Sequence, residues 1–258
     1  MASPLTYPKA KGTTVNRYNN RATYDVKAIH SIVNESSVLH VAFAPDVEDP
    51  FPAILPMIGT MGSFDYPSAG LDEPLDCYLH GYVSSRIMRL AASSPQGLPV
   101  SIAATKVDGL VLALTPNANS YNYRSAILHG YASIVEKTEE KLWAMELITN
   151  SVVPDRWKNS RVPPDSAEMQ STKILRVKIT AASGKVREGG PHDEAKDTTR
   201  EDVTGSTWIG VVPVVEKLCE PIPASQNKIG ELPNYIADYV ADMNANAEAY
   251  ALNAARLP

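Results

Sequence analysis

The residues best placed to do chemistry stand together in Tyr78-Leu79-His80-Gly81-Tyr82-Val83-Ser84-Ser85-Arg86. The first half reads as a short strand. The second half turns sharply and opens a helix that begins near Ser84 and runs through Leu90. Such a step gathers two hydroxyls, a guanidinium and backbone N–H groups at a helix N-terminus. Those N–H groups have no partner within the helix, and the helix dipole is positive at that end, so a phosphate dianion is favoured there. Arg86 adds a two-pronged, charge-assisted contact. The plainer reading of the same residues is an ordinary serine N-cap beside a solvent-facing arginine.

The elements that must position this segment can be read on either side of it. Residues 1–22 are polar and irregular, with Arg17 and Arg21 four apart. Asp25 caps a predicted helix whose apolar face is Val26, Ile29, Ile32 and Val33. Val38 to Ala44 reads as a strand, Pro45 to Pro50 as a turn carrying three acids, and Ala53 to Ile58 as a second strand. Pro56 cannot donate to a ladder, so one edge of that strand must be open, which leaves backbone groups free for a ligand. Gly59 to Pro74 is expected to be a long loop able to serve as a lid.

Beyond Leu90, Pro99 to Thr105 predicts a strand. Val107-Asp108-Gly109 predicts a tight turn, and Leu110 to Leu114 the returning strand of a hairpin. Tyr123 to Val135 is a long strand in which Gly130 marks a bulge or corner. Glu136 to Thr149 reads as a helix with Leu142, Met145, Ile148 and Val152 on one face. Lys173 to Ala182 alternates as a strand, Gly184 to Gly205 reads as a charged, exposed excursion, and Trp208 to Val215 as a last strand. After a proline-rich linker, Asn234 to Ala254 forms a helix with Ile236, Val240, Met243 and Ala247 along one stripe. Seven or so strands joined mostly by short turns predict antiparallel pairing and a small closed barrel with peripheral helices.

Composition narrows the classes. The chain has 258 residues, 44% hydrophobic and 21% charged, enough apolar material for a sizeable soluble core. Its net charge is -5, with no Lys/Arg-rich run, so neither nucleic acid nor an anionic membrane is an expected partner. Two unrelated cysteines, Cys77 and Cys219, suggest reduced thiols and a cytoplasmic location rather than a disulfide framework. No secretory signal is read in Met1 to Lys11, and no apolar run approaches membrane-spanning length. There is no GxGxxG after a strand, no Walker A, no GxSxG and no HExxH. No metal site is expected.

Several segments together resemble the pyridoxamine 5'-phosphate oxidase-like FMN-binding split barrels, in particular the flavin-nucleotide-binding branch related to nitroimidazole-resistance reductases. They are Ile54-Leu55-Pro56-Met57, Tyr78 to Gly81 with Ser84-Ser85-Arg86, Asp108 to Ala113, Asn122-Tyr123-Arg124-Ser125 followed by Gly130, Glu140-Lys141, and Trp208 to Pro213. The resemblance implies a mainly β fold with flanking helices, a six-stranded antiparallel split β-barrel over residues 15–215. Residues 216–258 would be a linker and C-terminal helix. It also implies a homodimer with FMN at the interface. Carried over, Ser85 and Arg86 would hold the FMN phosphate, assisted by Ser84 and by Arg124 or Ser125. The backbone of Leu55, Pro56, Met57 and Ile58 would meet the flavin ring edge. His80 and Gly81 would lie beside the ribityl chain or ring, and Trp208 would approach from the other subunit. The family's Arg…Leu-Lys phosphate strand is missing from Ile54 to Ile58. The ending Arg256-Leu257-Pro258 is one residue short of its terminal motif, so vitamin B6 oxidation is not the expected activity.

The implied function is an FMN-dependent oxidoreductase acting on a small organic substrate, with His80 or Tyr82 as candidate proton donors. The competing reading is a non-catalytic binder of flavin, haem or F420. Haem would call for an axial ligand such as His129 or His192, and F420 for a more basic groove. A third reading is an interaction protein on a vestigial barrel.

Overall fold

The computed structural model describes residues 3–45 and 50–256. Most of the acidic turn read at Pro45 to Pro50, and the terminal Leu257 and Pro258, lie outside the described residues. In chain order the elements are β1 (Ala22–Thr23), α1 (Val26–Asn34), β2 (Leu39–Phe43), β3 (Ala53–Met57), β4 (Gly59–Gly62), β5 (Asp76–Tyr82), α2 (Arg86–Ala92), β6 (Leu98–Leu112), β7 (Ser120–Ile134), α3 (Thr138–Val152), α4 (Ser166–Ser171), β8 (Thr172–Arg187), α5 (Ala195–Thr198), α6 (Glu201–Thr204), β9 (Gly210–Pro213) and α7 (Asn234–Arg256).

The main path of the sheet runs β3-β2-β6-β7-β8-β5-β4, with β1 added to β8 and β9 to β6. The pairings β2–β3, β2–β6, β4–β5, β5–β8 and β6–β9 are antiparallel. This is a mainly β antiparallel architecture with several helices and a C-terminal helix. The sheet has nine strands, more than the seven or so expected, and its hydrogen-bonded path is not closed into a barrel. Its two ends, β3 and β4, are consecutive in the chain with Ile58 alone between them.

The chain divides into two compact units, residues 1–105 with 125–185, and residues 106–124 with 186–258, so the division does not fall at the expected 215/216 boundary. In the first unit the core is built from Ile29, Leu39, Tyr78, Leu79, Ile87, Met88, Ile102, Leu128, Ile174 and Leu175, all buried. Each such aliphatic or aromatic side chain contributes about 1.5–3 kcal/mol on burial. Helix α1 forms where its pattern predicts. The Asp25 carboxylate accepts from Ala28 N at 2.8 Å, and Val26, Ile29, Ile32 and Val33 are buried. Helix α3 covers one face of β5: Tyr78, Val135, Ala144, Ile148 and Ile174 form a cluster, and the Trp143 ring meets Tyr78 edge-on at 5.1 Å. Burial on α3 falls on Glu140, Lys141, Ala144 and Ile148, whereas Val152 is exposed, so its apolar stripe is rotated from the expected one.

Three other expectations are corrected. Gly59 to Gly62 is not part of a lid: it is β4, paired with β5, and Thr60, Met61 and Gly62 are buried. There is no hairpin at Val107-Asp108-Gly109, because β6 runs straight through it. Asp108 is buried there, and its charge is met by Arg124 rather than by water at a turn. The excursion expected at 184–205 begins as strand. β8 continues to Arg187, and only then do α5 and α6 follow. In the second unit, β9 pairs with β6 from Gly109↔Pro213 to Leu112↔Gly210, and α7 packs against β9. No helix among the described residues is long and apolar enough to cross a membrane.

Candidate functional site

Ser85 is the N-cap of α2, with extended backbone, yet its side chain makes no capping hydrogen bond. Its Oγ is buried and has no hydrogen-bond partner. A buried hydroxyl without a partner costs about 1–3 kcal/mol, and such a group needs a reason to persist. The plain N-cap reading therefore fails at this residue. Next to it, Gly81 is closely approached by Met88. A Cβ there would stand 2.6 Å from Met88 Cε, 3.5 Å from Met57 Cε and 4.0 Å from Ser85 Oγ. Gly81, Met57, Met88 and Ser85 thus face one another. Met57 is the buried end of β3, and Met88 is held in the first turns of α2.

Arg86 is exposed and makes no ion pair among the described residues. Ser84 is exposed, and its carbonyl accepts from the Arg89 guanidinium. The expected edge at β3 is present: β3 pairs with β2 through His40↔Pro56 and stands at an end of the sheet path. Leu55 and Met57 point inward, while Pro56 and Ile58 are exposed. The carbonyl of Ile58 accepts from His80 N at 3.0 Å, which ties the end of β3 to β5.

His80 and Gly81 do not share a face. Alternation places His80 on the side of Tyr78 and Gly81 on the side of Leu79. His80 is exposed as a residue, yet part of its side chain is desolvated by the surrounding protein, and this lowers its pKa. At neutral pH it is an uncharged donor and acceptor. Tyr82 is also exposed, at the end of β5.

The remaining expected residues lie elsewhere. Ser125 Oγ donates to Lys185 O at 3.3 Å. Arg124 belongs to the second unit, where it is buried against Asp108 with Nη2–Oδ1 at 2.8 Å and Nε–Oδ2 at 3.1 Å. The ring of Tyr250 from α7 lies 3.7 Å from its guanidinium carbon, and Tyr250 OH donates to Glu188 at 2.7 Å. Burial, then the bond to Glu188, raises the Tyr250 pKa. Trp208 precedes β9 and is 65% exposed, and its ring packs on Gly210. The structure brings Met57, Gly81 and Ser85 together beside Met88, and places His80 on the opposite face of β5. It engages Arg124 in an ion pair of its own.

Sequence reasoning missed a buried polar network behind β5. Tyr78 OH donates to Glu140 at 2.9 Å, and Arg176 donates to Glu140 at 3.3 Å and to Asp76 at 2.6 Å. Burial, then the Glu140 carboxylate, raises the Tyr78 pKa. Burial, then the neighbouring Asp76 carboxylate, pushes the Cys77 thiol up to about 12, so it stays protonated. The alternation of Asp76, Tyr78 and Arg176 on paired strands was the available signal.

Helix α2 thus opens directly off β5 of an antiparallel sheet, with the unpartnered Ser85 hydroxyl at its start. The comparisons sharpen the class. Residues 25–186 match the family described as pyridoxamine 5'-phosphate oxidase, and the chain belongs to that family. The fold is similar to that of a flavocytochrome from Azotobacter vinelandii, at 24% identity over 89% of this chain and 97% of that one, with a TM-score of 0.72. It is also similar to an FAD and heme binding protein from Mycobacterium smegmatis, at 24% identity over 85% of this chain and 97% of that one, with a TM-score of 0.70. No curated protein matches the chain.

Proposed function

We propose that this chain binds a flavin mononucleotide between the β3 edge and the start of α2, and that it serves as an oxidoreductase on a small organic substrate. The observation that carries the reading is the Ser85 hydroxyl, buried without a partner at the start of α2, near Gly81 and Met57. Ser85 Oγ and the Arg86 guanidinium would hold the phosphate, with Ser84 beside them. The backbone of Pro56 to Ile58 would offer hydrogen bonds along the open edge. A bound flavin supplies transfer of electron pairs to or from a substrate. The chain's own part is to bind, orient and exclude water: Met57 and Met88 supply apolar surface beside Ser85, and His80, its pKa lowered by burial, stands on the opposite face of β5. The family and the fold of the two neighbours support the reading. A homodimer and a cytoplasmic setting belong to the same proposal, supported by the exposed apolar side chains Ile54 on β3 and Ile58 just after it and by two free cysteines.

One observation favours a second reading, haem in addition to or in place of flavin. His40 lies opposite Pro56, and the backbone N–H of His80 donates to Ile58 O, so two exposed histidines flank the exposed strip Ile54-Pro56-Ile58. A neutral imidazole beside apolar surface suits a metal-centred ring. One neighbour is named a flavocytochrome and the other an FAD and heme binding protein.

The deciding experiment is an ultraviolet–visible spectrum of the purified protein, with heat release and identification of any chromophore. FMN in near one-to-one ratio is expected. FAD would correct the nucleotide, and a Soret band would favour haem. A colourless protein that takes up neither would end both readings. Under the flavin reading, Arg86→Ala weakens binding by about 1.5–3 kcal/mol, the usual worth of a charge-assisted contact, read by flavin fluorescence quenching.

A further inference from the structure

The arginines four apart in the N-terminal segment find no role in the site above, and their surroundings are unusual. Tyr18 sits in the left-handed region at φ 53°, ψ 54°, a conformation that costs a non-glycine residue about 1–2 kcal/mol. Its ring, half exposed, is approached by three cations. The Arg21 guanidinium carbon is 4.5 Å from its centroid, that of Arg17 is 5.1 Å away, and Lys185 Nζ is 5.8 Å away. Lys185 is brought there by strand pairing, Ala22↔Lys185 and Thr23↔Gly184, and its ammonium donates to Arg17 O at 3.0 Å. None of the three forms an ion pair with any carboxylate of the described residues.

Three like charges around one ring lie within about a Debye length of one another, so they repel even in physiological salt. Cation–π attraction offsets only part of this at an exposed site. The chain as a whole is acidic, with net charge -5. A cluster of +3 beside a strained backbone, ion-paired to no acid among the described residues, is therefore a focus of positive charge on an acidic chain. Two guanidinium forks and an ammonium match the oxygens and charge of a phosphate group better than a single carboxylate.

We propose that Arg17, Arg21 and Lys185, gathered around Tyr18, form an anion site for a phosphate-bearing ligand, separate from the Ser85–Arg86 site. The site is a docking place for a diphosphate, free or borne by a nucleotide. It does not depend on the flavin reading.

The test is isothermal titration of the full-length Arg86→Ala protein, so that phosphate held at Arg86 does not enter, with inorganic pyrophosphate, ADP and citrate in turn. Pyrophosphate or ADP is expected to bind, more weakly as salt is raised. Arg17→Gln and Arg21→Gln should each lower the affinity about tenfold, with an unchanged melting temperature. Arg21→Lys, which keeps the charge but loses the fork, should fall between. Tighter binding of ADP than of pyrophosphate identifies a nucleotide ligand, and equal binding a free diphosphate. The proposal is overturned by absence of binding at low salt, by affinity that survives both glutamine substitutions, or by citrate binding as tightly as the diphosphates.

Discussion

The Ser85 side chain makes a prediction in which stability and binding part company. Ser85→Ala removes a buried hydroxyl with no partner, so the melting temperature should hold or rise, while flavin affinity should fall by about 1–1.5 kcal/mol for one lost hydrogen bond. A loss of stability without a loss of affinity would mean that the hydroxyl serves the fold alone. His30 carries the pH dependence. It is fully buried, its Nδ1 lies 2.9 Å from Leu71 O and its Nε2 2.6 Å from Tyr7 OH. Nδ1–H therefore donates to the carbonyl, and Nε2 accepts from the tyrosine. Burial lowers its pKa from the ordinary 6.5. The unfolded chain takes up a proton first as pH falls through 6.5, so the stabilisation is full above that value and is lost below it, down to the folded pKa. Urea midpoints measured across this window should drop toward acid, and less steeply in His30→Gln. Equal slopes would clear His30 of the effect, and His80, also shifted downward, would then account for it.

At the scale of elements, local signals worked where the deciding contacts are local. Asp25 and the apolar spacing after it announce α1, because capping and helical periodicity operate over three or four residues. Val107-Asp108-Gly109 misled for the opposite reason. The Asp-Gly pair is turn chemistry, yet its carboxylate is neutralised by Arg124, on a different strand. The Gly59 to Gly62 stretch lacks strand alternation, and it becomes buried sheet only because β5 is beside it. Gly130, read as a bulge or corner, lies inside the continuous strand β7, and its glycine answers to close approach: a Cβ there would stand 2.4 Å from Lys178 O on β8. A backbone oxygen cannot swing away as a side chain would, so Gly130→Ala should destabilise by about 1–3 kcal/mol, the range for overpacking. Chemical denaturation would show it, and an unchanged midpoint would mean that β7 and β8 separate at little cost. Gly81 is the contrast, since the nearest atom to its absent Cβ is the flexible end of Met88.

For the whole molecule, the division into two compact units gives Arg124 and Ser85 different duties. Arg124 sits in a buried ion pair beneath Tyr250 of the C-terminal helix, and removing either partner of such a pair strands a charge. Of the motif Asn122 to Ser125, Asn122 and Arg124 belong to the second unit, while Ser125 donates to Lys185 in the first. The exposed apolar residues Ile54 and Ile58 leave surface that a second copy would cover under the proposed function. Light scattering should accordingly give twice the chain mass of 27.9 kDa, about 56 kDa, and a strict monomer would remove the interface from the proposal.

Taken by itself, the sequence determined what nearest neighbours decide: the cap and face of α1, the strand–turn–helix step at Ser85, the open edge at Pro56 and the family likeness. Tertiary structure alone decided that the sheet path is left open between β3 and β4, that Asp108 lies in a straight strand, that His80 and Gly81 face opposite ways, and that the Ser85 hydroxyl is buried without a partner. The reason is one of range. Propensity and capping act between residues a few positions apart, whereas burial, strand register and the pairing of charges join residues tens of positions apart, and no local pattern encodes which of them will meet.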